Sequence, residues 1–382
     1  MRLWIYIARR LALTLPVLIG VTLITFSLSN MMGDPTAPYL TEKSTEEQRE
    51  ELRIKHNLDE PLTVQYITYL QNIMKFDWGY SKTIEQPVSE ALKIKFAATL
   101  ELSLLAFFVA VGTALPLGIF SSIRHNRWQD HGIRLFALFG SAVPIFWLAL
   151  ILKYFVSFKL GLLPLGDRWT AVLWESRDPI EIKTNFLLID SIAAGSLTHF
   201  LDALKHMILP ATVLAYGSMA TIIRLMRGNM LDVLNQDYIR TAKSKGLSER
   251  DVTIKHAASN AMIPTVTLLG MGFAGLINGS VLTETVFTWP GLGYWAIQAM
   301  KNADTSAILA YTLFSALLYI LANLIVDILY AFLDPRVELS GNINWGESII
   351  IFVSVLMLII TYISVDLGVL FGTFSLILLS IY

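Results

Sequence analysis

The sequence predicts an all-α polytopic membrane protein, on the strength of its composition and of the length of its apolar stretches. Hydrophobic residues make up 54% of the 382 positions, and charged residues make up 15%, where soluble domains carry roughly 25%. The net charge of −1 argues against nucleic acid as a partner. The absence of cysteine excludes disulfides, thiolate catalysis and cysteine metal ligands.

Apolar stretches long enough to cross a bilayer, roughly 20 residues each, recur along the chain. We predict six spans at residues 11–31, 97–123, 133–158, 207–225, 263–286 and 308–332. The first follows Arg2, Arg9 and Arg10 but is too long for a signal peptide and lacks a small-residue cleavage site, so we expect a retained helix. The predicted organisation is an N-terminal helix over 1–32, an extracytoplasmic segment over 33–95, a core over 96–336 and an apolar tail over 337–382.

Basic residues in the short loops predict the orientation of these spans. The N-terminus, the loop 124–134 and the segment after the fourth span are basic, which places all three in the cytoplasm. The last of these contains seven basic residues: Arg224, Arg227, Arg240, Lys243, Lys245, Arg250 and Lys255. The segments 33–95 and 159–205 are balanced or acidic and are expected to face outward.

The first outward segment is predicted to contain two short helices. Ser44 and Glu47 have the spacing of a capping box before a helix that ends ahead of Pro61. A second amphipathic stretch covers residues 64–74. This segment is either a solvated cap on the membrane surface or part of a vestibule that contacts an external partner.

Prolines and glycines interrupt the spans. Pro116, Pro144 and Pro210 each lack a backbone donor, so they are expected to kink or start helices. The fifth span contains four glycines with small-residue spacing that favours close helix approach: Gly270, Gly272, Gly275 and Gly279. These glycines either pack tightly against another helix or line a solute pathway.

Charged residues within the spans are candidates for function because burying them in lipid is costly. Glu101, Lys153 and Asp327 all lie near predicted span ends, so we expect them to reach the interface and its headgroups. No pair of ionisable residues is predicted at mid-membrane, which argues against the alternative class, an ion-coupled secondary carrier. A membrane enzyme is disfavoured by the lack of HExxH and GxSxG patterns.

The chain also lacks the GxxxxGK[ST] phosphate loop, so ATP hydrolysis would need a separate subunit. Residues 237–264, here called the insert, suit the docking of such a subunit. Their apolar positions predict two short helices broken at Gly246, where we expect a backbone conformation that a Cβ atom disfavours. A helical surface of this kind can fit a groove on a partner and transmit rigid-body motion.

The run YIRTAKSKGLSERDVTIKHAASNAMIP resembles the coupling loop of permeases from ATP-binding-cassette importers, in the branch that handles dipeptides, oligopeptides and nickel. Further stretches resemble the same branch in the same order: GDP at 33–35, PLTVQYITYL from Pro61, SAVPIFWLAL from Ser141, HMILPA from His206, VFTWPGLG from Val286 and DPR at 334–336. The resemblance covers nearly all of residues 1–336. It is closest to the first of the two permeases in such systems.

The resemblance implies a type I importer permease fold with six core transmembrane helices, to which this chain adds an apolar C-terminal helix. It implies a homologous second permease, two ATPase subunits and an extracytoplasmic solute-binding protein as partners, and no cofactor, catalytic residue or metal. The coupling loop is expected over 227–262, with these residues at the ATPase: Arg240, Thr241, Ala242, Gly246, Leu247, Ile254 and His256. The family's usual Glu-Ala-Ala is replaced here by Arg240, Thr241 and Ala242.

The substrate that the resemblance implies is a di- or oligopeptide. Cationic antimicrobial peptides, polyamines and nickel stay open as alternatives, and so does the direction of transport. Nickel is disfavoured because the six histidines are scattered without ligand spacing. The tail 337–382 is long enough for one added span, which would place the C-terminus outside.

Overall fold

The computed structural model describes residues 3–31, 59–177 and 179–333, and the single positions 45, 47 and 54. The chain divides into two units, one of Met1–Lys75 with Pro335–Tyr382 and one of Phe76–Asp334. The predicted helix after Ser44, the Asp334–Arg336 motif and the proposed span in the tail 337–382 lie outside the described residues. The side chain of Asp327 lies outside them as well.

The first unit contains a long apolar helix and a shorter amphipathic one. Helix α1 covers Leu3–Met31, and α2 covers Leu62–Met74. Helix α2 starts directly after Pro61, where a missing backbone donor costs nothing because the first N–H groups of a helix lack intrahelical partners. Two hydroxyl pairs join the helices: Thr22 with Tyr66 at 2.9 Å, and Thr25 with Tyr69 at 3.0 Å. The amphipathic helix predicted over 64–74 is confirmed.

The second unit opens with a two-stranded antiparallel hairpin, β1 (Tyr80–Ser81) and β2 (Gln86–Pro87). Its long helices are α3 (Val88–Ile123), α7 (Leu197–Leu234) and α13 (Thr305–Leu333). Between them lie α4 (Trp128–Ala142), α5 (Ile145–Leu152) and α6 (Leu187–Ala193). The insert region gives α8 (Asp237–Ser244), α9 (Glu249–Asp251) and α10 (Ser259–Gly279), and α11 (Val281–Val286) and α12 (Leu292–Lys301) follow.

The centre of this unit is the packing of α3 against α7, which small side chains make close. Ala106, Ala110 and Ala114 repeat every four residues on one face of α3 and are fully buried. At Gly118 a Cβ atom would come within 2.8 Å of the Met226 Cβ atom, so only glycine fits there without a shift. Small residues at this interval let two helices approach closely in a membrane.

The third predicted span, over 133–158, is not one continuous helix, because a new helix starts after Pro144, as predicted for that proline. Helix α4 ends at Ala142, and the chain turns by 106° into α5 and the π-helical segment Lys153–Lys159 that continues it. Pro144 explains the break, because a proline forces the preceding residue out of the helical region. Val143 accordingly adopts an extended backbone with ψ of 126°.

Each of the six predicted apolar stretches coincides with helical structure in the described chain. Among the described residues, three helices are long and apolar enough to cross a membrane, and the number rises to five if each bent pair forms one span. The second bent pair covers Glu249–Val266 and Leu268–Val286, with an angle of 46°. Helix α1 contributes a shorter apolar section, Thr14–Leu28. Pro116 and Pro210, predicted to kink or start helices, lie inside α3 and α7.

Candidate functional site

The insert folds as the sequence predicts, into two short helices joined at a glycine. Gly246 has a φ of +77°, in the left-handed region that favours glycine. Its N–H donates to the carbonyl of Lys243 at 2.9 Å, which closes the end of α8. Ser248 then caps α9 by accepting a hydrogen bond from the Asp251 N–H at 3.1 Å. Helix α9 runs without a gap into the π-helical segment Val252–Ala258 and on into α10.

One side of the insert is apolar and packs on the C-terminal part of α7. The insert side chains in this cluster are all buried: Ile239, Ala242, Val252, Ala257, Ala258 and Ala261. They meet Met226 and Met230 of α7, both fully buried. Because packed side chains resist deformation, a displacement of the insert is expected to move this part of α7 as well.

The other side of the insert is exposed and combines apolar with basic groups. Leu247 is 42% and Ile254 51% exposed, and Tyr238 is exposed as well. Arg240 and Lys255 contribute exposed cationic groups, each paired with an acidic residue of the insert. Exposed apolar side chains surrounded by charge are typical of protein-docking surfaces.

The predicted coupling residues divide between these two sides. Arg240, Thr241, Gly246, Leu247 and Ile254 are exposed, and His256 is half-buried. Ala242 differs, because it is only 8% exposed and belongs to the cluster against α7. Its role in coupling stays a prediction, in which a side chain packed on α7 supports the exposed surface from behind.

A buried ion pair connects the elements beside the insert. Asp130 in the first turn of α4 is fully buried, and Arg227 of α7 donates to both of its oxygens, at 2.7 and 2.8 Å. The Ser121 hydroxyl and the Asn126 N–H donate to the same carboxylate at 2.5 and 3.0 Å. Asp130 therefore holds the end of α3, the following turn, α4 and α7 together. The only indication of this role in the sequence was the position of an acidic residue within a basic loop.

Asp130→Ala is expected to lower the free energy of unfolding by about 3 kcal/mol, because it leaves a partly buried guanidinium and two other donors without their acceptor. Chemical unfolding in detergent micelles measures this change. Asp237→Ala is the matched control, since the ion pair of Asp237 with Arg240 is exposed and is expected to add little. Equal stability losses in the two variants would contradict the role given to Asp130.

The four glycines predicted in the fifth span all lie in α10. Among the described residues, a Cβ atom added at Gly272, Gly275 or Gly279 would have no neighbour within 4 Å, and Gly270 is half-buried. By contrast, a Cβ atom at Gly293 would come within 2.6 Å of the Val281 backbone. Gly272, Gly275 and Gly279 therefore do not pack tightly against the described part of the chain, and α10 presents an open glycine face there.

A second polar centre, which the sequence reasoning missed, surrounds Glu284 of α11. This carboxyl group is fully buried and accepts hydrogen bonds from the hydroxyls of Thr99 and Ser280 at 2.7 and 2.8 Å. It also accepts from the N–H groups of Gly293 and Tyr294 at 2.8 and 3.0 Å. Glu284 thus joins α3, α11 and the start of α12. The sequence feature that could have indicated this centre is the presence of an acidic residue inside the apolar stretch 263–286.

Glu101 and Lys153, predicted to reach headgroups at the interface, both have polar partners within the protein. Glu101 is buried and pairs with Arg168, and it also accepts a hydrogen bond from the Leu188 N–H at 2.8 Å. Burial lowers the pKa of the Arg168 guanidinium, and the Glu101 carboxylate opposes that shift. Lys153 donates to the carbonyl of Val286 at 2.6 Å. Both side chains find polar partners inside the protein, which removes the need to extend toward headgroups.

Among the described residues, no group of three or more His, Cys, Asp or Glu side chains is placed to hold a metal ion. His206 lies next to a backbone carbonyl, that of Asp202, at 2.9 Å. The Nδ1 atom of His199 lies 2.7 Å from the Ser196 hydroxyl. These histidines stabilise local structure.

Comparison with known proteins decides the family. A family model for the inner membrane component of binding-protein-dependent transport systems matches residues 114–339, which include the insert and the glycine face of α10. The chain belongs to this family. Its members are inner-membrane components, in agreement with the apolar helices described above. The chain is therefore a multi-pass membrane protein, and residues 340–382 lie beyond the family match.

Individual relatives in this family align over nearly their full length. The dipeptide transport system permease protein DppB of Escherichia coli K12 is 39% identical over 336 residues, 87% of this chain and 98% of the relative. The di/tripeptide transport system permease protein DppB of Pseudomonas aeruginosa is 41% identical over 335 residues, with the same coverage. The oligopeptide transport system permease protein AppB of Bacillus subtilis is 38% identical over 335 residues, 87% of this chain and 99% of the relative.

Proposed function

We propose that this chain is the permease subunit of an ATP-binding-cassette importer for di- or oligopeptides. The observation that carries the proposal is the insert, which combines a buried side packed on α7 with an exposed apolar and basic side. The names of the relatives describe dipeptide, di/tripeptide and oligopeptide transport, which supports the substrate class.

The insert is proposed to receive the ATPase subunits on its exposed side. Leu247 and Ile254 supply apolar contacts, and Arg240 supplies charge that restricts the partner to a complementary surface. This assignment places the insert, and with it the N-terminus and the loop 124–134, on the cytoplasmic side, as the basic residues of these segments favour.

Motion is proposed to pass from the insert into the membrane helices by two connections. The first is the apolar cluster that joins the insert to Met226 and Met230 of α7. The second is the Asp130 carboxylate, which ties Arg227 of α7 to α4 and to the end of α3. Together they let α3, α4 and α7 respond as one body when the ATPase pair closes, which is the rigid-body mode of such transitions.

The complete transporter is proposed to contain two permeases, two ATPase subunits and an external solute-binding protein. The open glycine face of α10, with Gly272, Gly275 and Gly279, is assigned to the pathway that this chain forms with the second permease. Glycines that leave space on a membrane helix allow either close approach of another helix or passage of a solute.

Gly275→Leu is expected to reduce transport at least roughly tenfold, because the new side chain enters the open space assigned to the pathway. Folding is expected to stay intact, because leucine is a better helix former than glycine. Uptake per inserted molecule and thermal stability in detergent are the two measurements. Gly112→Leu on α3 is the control, since it also adds a side chain to open space. Unchanged uptake in Gly275→Leu would remove this face from the pathway.

Reconstitution tests the proposed function as a whole. Proteoliposomes that contain this chain with its co-purified subunits are expected to take up labelled dipeptide only when ATP and a solute-binding protein are present. Co-purification of an ATPase subunit would agree with the proposal. Uptake by the lone chain without ATP, driven by a proton or sodium gradient, would contradict it and favour a secondary carrier.

A further inference from the structure

A cationic cavity lies between α4 and α7, outside the insert and outside the glycine face of α10. Its volume is about 440 Å³. The lining residues are His131, Arg134, Leu135, Leu138, Arg224 and Arg227. The first four lie along α4, which starts within the basic loop 124–134, and the last two lie near the C-terminal end of α7.

The cavity contains positive charge that the protein does not neutralise. Arg227 is committed to Asp130, and both oxygens of that carboxylate are already occupied by hydrogen bonds. Arg134 and Arg224 form neither an ion pair nor a side-chain hydrogen bond with any residue in the described part of the chain. Two guanidinium groups are therefore available to an anion, and planar guanidinium groups bind phosphate oxygens well.

The same cavity opens onto an apolar surface. Leu135 and Leu138, which line it, are 66% and 58% exposed, and Phe139 is exposed one residue further along α4. In a protein that spans a membrane, exposed apolar side chains beside arginines mark the boundary between acyl chains and headgroups. A ligand that fits both features carries a phosphate and a hydrocarbon portion.

We propose that this cavity binds the phosphate headgroup of an anionic phospholipid, with the acyl chains lying along Leu135 and Leu138. Basic pockets between membrane helices on the cytoplasmic side suit such headgroups. The bound lipid would bridge α4 and α7 next to the Asp130–Arg227 pair, and so would stabilise the arrangement of helices that supports the insert. This site does not depend on the assignment of the insert or of the substrate.

The test compares two double variants of the full-length chain in nanodiscs. Arg134→Gln/Arg224→Gln removes both free cations of the cavity. Arg124→Gln/Arg127→Gln removes two cations from the neighbouring loop that do not line it. Nanodiscs of phosphatidylcholine with a minor fraction of phosphatidylglycerol or cardiolipin supply the probe, and native mass spectrometry counts retained lipid.

The wild-type chain and the loop variant are expected to retain phosphatidylglycerol or cardiolipin over phosphatidylcholine, and the cavity variant is expected to lose that preference roughly tenfold or more. Equal retention by both double variants would overturn the proposal. Inorganic phosphate that displaces the lipid at millimolar concentration would also overturn it, by assigning the site to a free anion. So would exclusion of lipid from the cavity by a second subunit in the assembled transporter.

Discussion

Gly246→Pro is expected to leave the protein in the membrane but to reduce ATP-driven transport at least roughly tenfold, in the range of allosteric coupling energies. Proline cannot adopt the φ of +77° that this position has, and it removes the N–H that donates to the Lys243 carbonyl. It also disfavours the helical region for Lys245 before it. The turn between α8 and α9 is therefore expected to rebuild, which displaces Leu247 and Ile254 from the docking surface.

Gly195→Pro provides a matched control for this experiment. Gly195 has a φ of +67°, its N–H donates to the Ile192 carbonyl at 3.0 Å, and it lies in the turn between α6 and α7, outside the insert. Both variants place proline at a positive φ and remove an N–H donor, so both are expected to lower the amount of folded protein. Only Gly246→Pro is expected to lower peptide uptake and stimulated ATPase activity per inserted molecule. Equal losses per molecule would mean that the insert has no special role.

Glu284→Ala is expected to cause the largest loss of stability, about 3 kcal/mol or more, because it leaves three buried donors and one partly buried donor without an acceptor. These donors belong to Thr99 on α3, to Ser280 between α10 and α11, and to Gly293 and Tyr294 on α12. Thermal unfolding in detergent, followed by the fluorescence of the buried Trp289 and Trp295, measures the effect.

Two further variants identify the cause of that loss. Glu284→Gln keeps one acceptor oxygen and is expected to recover part of the stability. Glu90→Ala removes a carboxylate whose ion pair with Lys93 is exposed at both ends, and it is expected to change little. A Glu284→Ala protein as stable as Glu90→Ala would show that the network does not hold α3, α11 and α12 together.

The sequence alone predicted the helical class, the positions of the apolar stretches and the break at Gly246. Span length and the polarity of the insert are local properties, and a glycine between two short amphipathic runs predicts its own backbone conformation. The long extensions of α3 to Val88 and of α7 to Leu234 were not predicted. These extensions lie outside the apolar stretches from which the spans were predicted. A helix that continues beyond the bilayer need not consist of apolar residues there.

The polar centres could not be predicted because they are formed by residues far apart in the sequence. Glu284 meets Thr99, and Asp130 meets Arg227, only after α3, α4, α7 and α11 have packed. For the same reason Glu101 was expected at the interface, although the structure gives it a buried partner in Arg168. The break at Pro144 was visible as a single residue, but its angle of 106° depends on what α4 and α5 pack against.

Site-specific photo-crosslinking tests the central claim, that the exposed side of the insert docks an ATPase. A benzophenone amino acid is placed at Leu247, at Ile254 and, as a control, at Ile182, all three of which are exposed. The expected result is a crosslink to an ATP-hydrolysing subunit from Leu247 and Ile254, and none from Ile182. Absence of that crosslink from both insert positions in an assembled, transport-active complex would contradict the claim.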